Sequence, residues 1–229
     1  MTLPTPLYSD NHLLVVQKPA GMLIQKDSTG DESLLDAARS YLKVKFDKPG
    51  NVYLGLVHRL DRPASGVVVF ARTSKAAGRL SDQFRRRAVK KTYWALVKGK
   101  PPRQGNLKNW MRRDGVHSLI VSDKDGKMAE LSYRRLHSEG DTSLLEIDLG
   151  TGRHHQIRVQ LAHIGFPIIG DFRYGSKVKF PNRTVALHAR SISVTHPVRS
   201  EAMTFVAPLE SSWPKAIVAL QSEWNKTGH

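Results

Sequence analysis

The chain has 229 residues, 40% of them apolar, enough to fill a hydrophobic core in one large or two small domains. It contains no cysteine, which excludes disulfides and thiolate metal sites and fits a reducing compartment. Thirty-six Lys and Arg against twenty Asp and Glu leave a net charge of +16, an excess that asks for a polyanionic partner.

No apolar run approaches 18 residues, so no membrane-spanning helix is expected. The start, "MTLPTPLYSDNH", lacks a basic patch followed by an apolar block, and the expected location is the cytoplasm. "LYSDNHLLVVQKPAGMLI" predicts a turn, a strand over Leu13 to Gln17 and a Pro-Gly reversal. "ESLLDAARSYLKVKF" places Leu34, Leu35, Ala38 and Leu42 at helical spacing, with Ser33 as cap. Two apolar runs, "VYLGLV" and "VVVFA", read as strands on either side of "HRLDRPASG". "TSKAAGRLSDQFRRR" reads as a helix capped by Thr73 or Ser74, with Ala76, Ala77, Leu80 and Phe84 inward. "KTYWALVKG", "HSLIVS" and "LSYRRLH" are strand-like, as are "TSLLEIDLG", "SISVT" and "AMTFVAP". "TGRHHQIRVQLAHIG" predicts a helix with Ile157, Leu161 and Ile164 on one face and with His154 and Arg158 sharing another. A last helix follows Pro214. Strands predominate, without regular βαβ units, which predicts a single α+β domain over residues 1–229 on a mostly antiparallel, mixed sheet flanked by helices.

Charge is clustered. "RRRAVKK" holds Arg85, Arg86, Arg87, Lys90 and Lys91 with no acid, and "KNWMRR" and "RTVALHAR" add more. A solvated face usually mixes signs, so an unbalanced run suggests phosphates as the counter-charge. Nucleic acid is favoured over a membrane surface because no long basic amphipathic helix is present.

Asp61 sits in "HRLDRPASG" where two apolar runs meet, between His58, Arg59 and Arg62. A carboxylate at such a junction is half-buried, and a buried carboxylate must be paired or lose its charge. An Asp beside an Arg at the mouth of a sheet is therefore a nucleophile or base candidate, although a cap or a structural ion pair is the plainer alternative. Ser65 and Gly66 let the backbone pass close to a ligand. The second candidate segment is "GTGRHHQIR", where Arg153 at a helix start after two glycines suits a phosphate or a carboxylate. Its histidines, with His163, raise the question of a metal, but no acid or Cys completes a ligand set and none is expected. Tyr93, directly after the basic run, could serve as a platform for an unstacked base or as a core aromatic.

"LYSDNHLLVVQKPAGM", "HRLDRPASGVVVFA", "KKTYWALVKG", "GTGRHHQIRVQLAHIGFPIIGDFRYG" and "LHARSISVTHP…MTFVAP" occur in this order and resemble the RluA family of RNA pseudouridine synthases over roughly residues 7–210. The resemblance implies a pseudouridine-synthase catalytic domain with its active-site cleft across the sheet. It implies isomerisation of uridine to pseudouridine in ribosomal or transfer RNA, with Asp61 as the catalytic group. Arg59 would help open the RNA, Tyr93 would stack on the uracil and act at its C5 proton, and Arg158 would pair with the aspartate. His58, Arg62, Arg153 and the 85–91 run would contact RNA. No cofactor, metal or membrane is implied, a monomer is expected, and no separate N-terminal RNA-binding domain is anticipated. Ala64, His154 and Gln160 depart from the usual pattern, none of them at a catalytic position, and read as tuning of the loop around the site. A uracil-N-glycosidic hydrolase, which would need a second carboxylate such as Asp148 or Asp171, and a non-catalytic RNA-binding protein are the alternatives.

Overall fold

The structure, a computed structural model, describes residues 6–226. In chain order its elements are β1 (Tyr8–Ser9), β2 (Leu13–Lys18), α1 (Leu34–Lys45), β3 (Gly55–Leu56), β4 (Ser65–Ala71), α2 (Ser74–Arg85), β5 (Lys90–Lys98), β6 (Gln104–Asp114), β7 (His117–Val121), β8 (Lys127–Glu139), β9 (Thr142–Leu149), α3 (Gln156–His163), β10 (Leu187–Thr195), β11 (Ala202–Val206) and α4 (Lys215–Lys226). The α+β expectation is borne out, and the strands pair mostly antiparallel. The chain divides into two compact units: residues up to 90 with 191–207, and residues 91–190 with those from 208 on.

In the first unit β2 pairs with β4 from Leu13↔Ala71 to Lys18↔Gly66. All seven residues of β4 are buried, which explains its continuous apolar run. Ser33 caps α1, accepting from the Asp36 N–H while its hydroxyl donates to the Asp36 carboxylate, a reciprocal arrangement that satisfies the first turn. Thr73 caps α2 by accepting the Ala76 N–H at its hydroxyl, without a return bond. The inner stripe of α2 is Ala76, Leu80 and Gln83. The buried Gln83 is satisfied by both backbone groups of Thr195, at 2.8 Å each, which fastens the end of β10. The run "VYLGLV" does not form the expected strand. Only Gly55 and Leu56 pair, with Ala71 and Phe70, and Tyr53 points to solvent.

The second unit is built on the antiparallel order β5-β9-β8-β6-β7. The register column Tyr93–Ile147–Tyr133 and the pleat put Tyr93, Leu131, Ala129, Asn109 and Met111 on one face. Helix α3 covers that face: Val159 packs with Met111 and Ala129, and Gln160 donates to the Asn109 side chain at 2.8 Å. Helix α4 covers the opposite face, where Trp224 meets Trp94 edge-on at 5.7 Å and its indole N–H donates to Glu146. Burying Ile217 and Trp224 contributes roughly 1.5–3 kcal/mol for each large apolar side chain.

Candidate functional site

The Asp61 loop is held by its own backbone. The Ala64 N–H donates to the Asp61 carbonyl at 3.1 Å, closing a turn over Arg62 and Pro63. Lys18, fully buried, donates from Nζ to the carbonyls of Pro19, Met22 and Arg62 at 3.0, 2.8 and 3.0 Å. Three carbonyls replace the water lost by this ammonium, as a buried charge requires, and they tie the turn to the Pro19–Met22 reversal. Nothing in the sequence distinguished Lys18 from a surface lysine beyond its place at the end of an apolar strand. Gly66, opposite Lys18, has φ of +122°, a conformation that glycine adopts at no steric cost.

The three basic residues around Asp61 have separate surroundings. Arg59 is exposed. Arg62 pairs with Asp31 at 2.6 Å and donates from Nε to the Gly21 carbonyl at 3.0 Å. His58 accepts the Val69 N–H of β4 at Nε2, at 2.9 Å, and stacks on Phe84 of α2 with centroids 5.0 Å apart. Its ring is thus built into the frame of the loop. Asp61 itself is half-buried.

In the second unit, Tyr93 is buried on the face that α3 covers, so Tyr93 and the helix carrying Arg158 share one side of the sheet. Helix α3 begins at Gln156, later than expected, because His155 takes a left-handed φ of +53°. His154 therefore lies in the preceding turn and does not share a helix face with Arg158. Arg158 is buried and grips Asp171 through Nε and Nη2 at 2.7 and 2.8 Å, a bidentate pair that sequence reasoning missed. The signal for it was "GDFRYG": Gly170, at φ of +87°, leaves no room for a side chain beside the Thr184 carbonyl and delivers Asp171 inward. The Arg158 guanidinium also lies 5.1 Å from the Tyr174 ring centroid.

Tyr174 accepts the Ser118 N–H at 2.9 Å and shares a 2.7 Å hydrogen bond with His155 Nδ1. Burial, then the Arg158 charge, pushes the His155 pKa down to about 2, so the ring is neutral. His154 stacks on His155 at 3.7 Å and bonds the Ser118 hydroxyl at 2.9 Å. The histidine cluster is thereby explained as packing and hydrogen bonding. Gln160, the other departure noted in this helix, is fully buried and satisfied by the sheet.

The basic run is less uniform than its sequence suggests. Arg85, Arg86 and Arg87 are exposed, but Asp82, one helical turn back, pairs with both Arg85 and Arg86. Lys91 lies over Gly152, its Nζ 3.7 Å from where a Cβ would stand there. Arg153 donates from Nε to the Met128 carbonyl at 3.0 Å. Arg190, counted from sequence among the surface cations, is instead buried between Trp94 and Trp224 at 5.0 and 4.9 Å. Burial lowers its pKa to about 10.

The family profile described as RNA pseudouridylate synthase matches residues 12–163, more than half of the chain and the stretch that carries Asp61, Tyr93 and Arg158. The chain belongs to the RNA pseudouridylate synthase family, of the RluA type. It is 38% identical over 206 residues to an uncharacterized RNA pseudouridine synthase of Chloroflexus aurantiacus, covering 89% of this chain and 65% of that one. It is 35% identical over 216 residues to ribosomal large subunit pseudouridine synthase D of Zymomonas mobilis, covering 89% and 68%. Ribosomal large subunit pseudouridine synthase C of Vibrio cholerae is 32% identical over 222 residues, covering 94% and 69%. This synthase-family chain therefore spans about two thirds of the length of these curated relatives. Among solved structures, human RNA pseudouridylate synthase domain containing 4 aligns with a TM-score of 0.76 at 26% identity, over 94% of this chain and 91% of that one. Among the described residues no helix is long and apolar enough to cross a membrane.

Proposed function

We propose that this chain is an RNA pseudouridine synthase acting on ribosomal RNA, with Asp61 as its catalytic group and the two interleaved units working as one catalytic domain. The observation that carries this is the half-buried Asp61 on a turn fixed through Lys18, in a chain of this family that retains Tyr93 and Arg158 on one face of its second unit. The names of the relatives from Zymomonas and Vibrio favour large-subunit ribosomal RNA over transfer RNA.

In the reaction the bond from uracil N1 to ribose C1′ breaks, the base rotates, and its C5 bonds to the same carbon. C5 gives up its proton and N1 gains one, so atoms balance within the nucleotide and no cofactor is required. Asp61 begins the reaction as the anionic group, Tyr93 stacks on the uracil near its C5 proton, and Arg158 supplies positive charge to the carboxylate. Arg59 fills the place the base leaves. Extruding the base costs a few kcal/mol, which stacking on one aromatic, about 1–3 kcal/mol, offsets together with phosphate contacts.

A hydrolase would need a second carboxylate to activate water. Asp171 is buried in its bidentate pair with Arg158. Asp148, bonded by the Thr92 hydroxyl at 3.1 Å, lies on the sheet face opposite to Tyr93, since it pairs with Thr92. Neither is placed for that role. Protein-free large-subunit ribosomal RNA and bulk transfer RNA, each labelled with tritium at uridine C5, test the proposal. Tritium release from the ribosomal RNA with retention of the isomerised base is expected. Asp61→Asn is expected to abolish release while RNA affinity stays within about twofold. Free uracil as product, or full activity in Asp61→Asn, would refute it.

A further inference from the structure

The hairpin of β6 and β7 and the turn that follows Asp171 meet in the second unit without any role in the chemistry above. Arg173 Nη1 donates to the Val116 carbonyl at 2.7 Å, and the Ser118 N–H donates to Tyr174 at 2.9 Å. His117 meets Tyr174 edge-on, with centroids 6.4 Å apart. Beneath, Ile120 and Tyr174 pack on the small core of Met111, Ala129 and Val159. The two segments are thus one fixed surface, not two loose loops.

What this surface shows to solvent is unusual for a fixed, hydrogen-bonded element. Phe172 is 56% exposed and Val116 is 60% exposed. Near them in the chain are the exposed cations Arg112, Arg113, Arg173 and Lys177. Arg113 donates from Nε to the Gly115 carbonyl at 2.9 Å, which holds its guanidinium close to the hairpin tip. Opposing acids are few. Within residues 112–117 only Asp114 is acidic, and within 171–179 only Asp171, which is buried against Arg158. An exposed aromatic flanked by uncompensated arginines is the combination that binds unpaired RNA, with a base on the ring and phosphates on the cations. A second copy of this chain would bring the same cations against each other, and charge complementarity selects a polyanion instead.

We propose that the hairpin tip at residues 112–117 and the turn at residues 172–174 form an RNA-contact surface, separate from the 85–91 run, on which Phe172 stacks an unpaired base and Arg113 and Arg173 hold the neighbouring phosphates. The proposal rests on the reading that the chain acts on RNA. The surface is fastened to the helix carrying Arg158: Ser118 bonds His154 at the turn before α3, and Tyr174 lies against the Arg158 guanidinium. RNA held here is therefore held by the rigid piece that carries Arg158.

The full chain and three variants, Phe172→Ala, Phe172→Trp and the double Arg113→Gln/Arg173→Gln, are titrated against a large-subunit ribosomal RNA transcript at several KCl concentrations, with tritium release measured in parallel. Phe172→Ala is expected to weaken Kd and raise KM about tenfold, and Phe172→Trp to restore both. The double variant is expected to lower the slope of log K against log salt by roughly one unit per arginine removed. Circular dichroism melting within about 3 °C of wild type identifies a folded variant. A folded, active set of variants with unchanged Kd and salt slope overturns the surface and leaves the enzymatic reading intact. A wild type that neither binds nor modifies RNA removes that reading and the surface with it. A change of oligomeric state in the variants with RNA binding untouched also overturns it, in favour of self-association.

Discussion

Arg158 is 4% exposed and Asp171 is 1% exposed, so the pair has exchanged its hydration for a bidentate contact within the protein. Removing one partner from such a pair strands a charge and costs about 3–5 kcal/mol. Asp171→Ala is expected to lose that much in urea unfolding and most of the activity as well, because the guanidinium then loses the bidentate contact that fixes its plane. Arg158→Lys is expected to recover part of the stability and little of the activity, since an ammonium cannot reproduce the bidentate fork. A loss below 1 kcal/mol in Asp171→Ala would show that the pair is not what holds Arg158. The sequence pointed to Arg158 through its motif but not to Asp171, which lies thirteen residues on beyond a loop whose path depends on Gly170. Pairings of that kind are set by how a loop folds back, and neither periodicity nor charge pattern reports it.

At the scale of elements, the turn between β1 and β2 is joined to the β10–β11 connection through one carboxylate. Asp10 accepts from the His12 and Leu13 N–H groups, the Tyr8 hydroxyl and His196 Nε2, all within 2.9 Å. His196 is buried and takes the Val198 and Arg199 N–H groups at Nδ1. Burial alone would raise the Asp10 pKa, but these donors outweigh it and lower the value to about 2. A depressed carboxylate stabilises the fold above its unfolded pKa, and the contribution disappears as pH falls through the folded value. The window is therefore about pH 4 down to pH 2. With about a fifth of the side chain still wetted, the contribution is on the order of 1–2 kcal/mol. Acid titration of the unfolding free energy should show this loss in wild type and not in Asp10→Asn, which should already be weaker at pH 7. Identical acid slopes in the two would count against it.

The same scale shows why some elements were legible and others were not. Helices α1 and α2 announce themselves through Ser33, Thr73 and a repeating apolar stripe, and β4 through an unbroken apolar run. Strand β6 was missed because "QGNLKNWMRRD" buries only Met111 among its eleven residues, so its alternation is hidden by polar side chains on both faces. "VYLGLV" misled in the opposite direction, with apolar residues that line a loop beside β4. The start of α3 was placed too early because His155 adopts the left-handed backbone that only its bond to Tyr174 and its stack on His154 make intelligible.

For the whole molecule, a net charge of +16 fixes the sign of the partner but not which cations meet it. A cation already paired within the chain must give up its carboxylate before it can neutralise a phosphate and release the counterions condensed on the RNA, so it adds less to the salt dependence of binding. Asp82 holds Arg85 and Arg86, whereas among the described residues Arg87 and Lys90 form no ion pair, and Lys91 stands over the Gly152 turn. Arg85 and Arg86 should therefore separate from Arg87 and Lys90. Replacing Arg87 and Lys90 with Gln is expected to lower the slope of log K against log salt by about one to two units, and Arg85→Gln/Arg86→Gln by less than one. Removing Asp82 as well, by Asp82→Asn in an otherwise wild-type chain, is expected to raise both affinity at low salt and the slope, since it releases two arginines to the RNA. Equal effects from the two groups would mean that RNA breaks the Asp82 pairs on binding, and an unchanged slope from either would move the RNA path off α2 and onto the hairpin surface of the second unit.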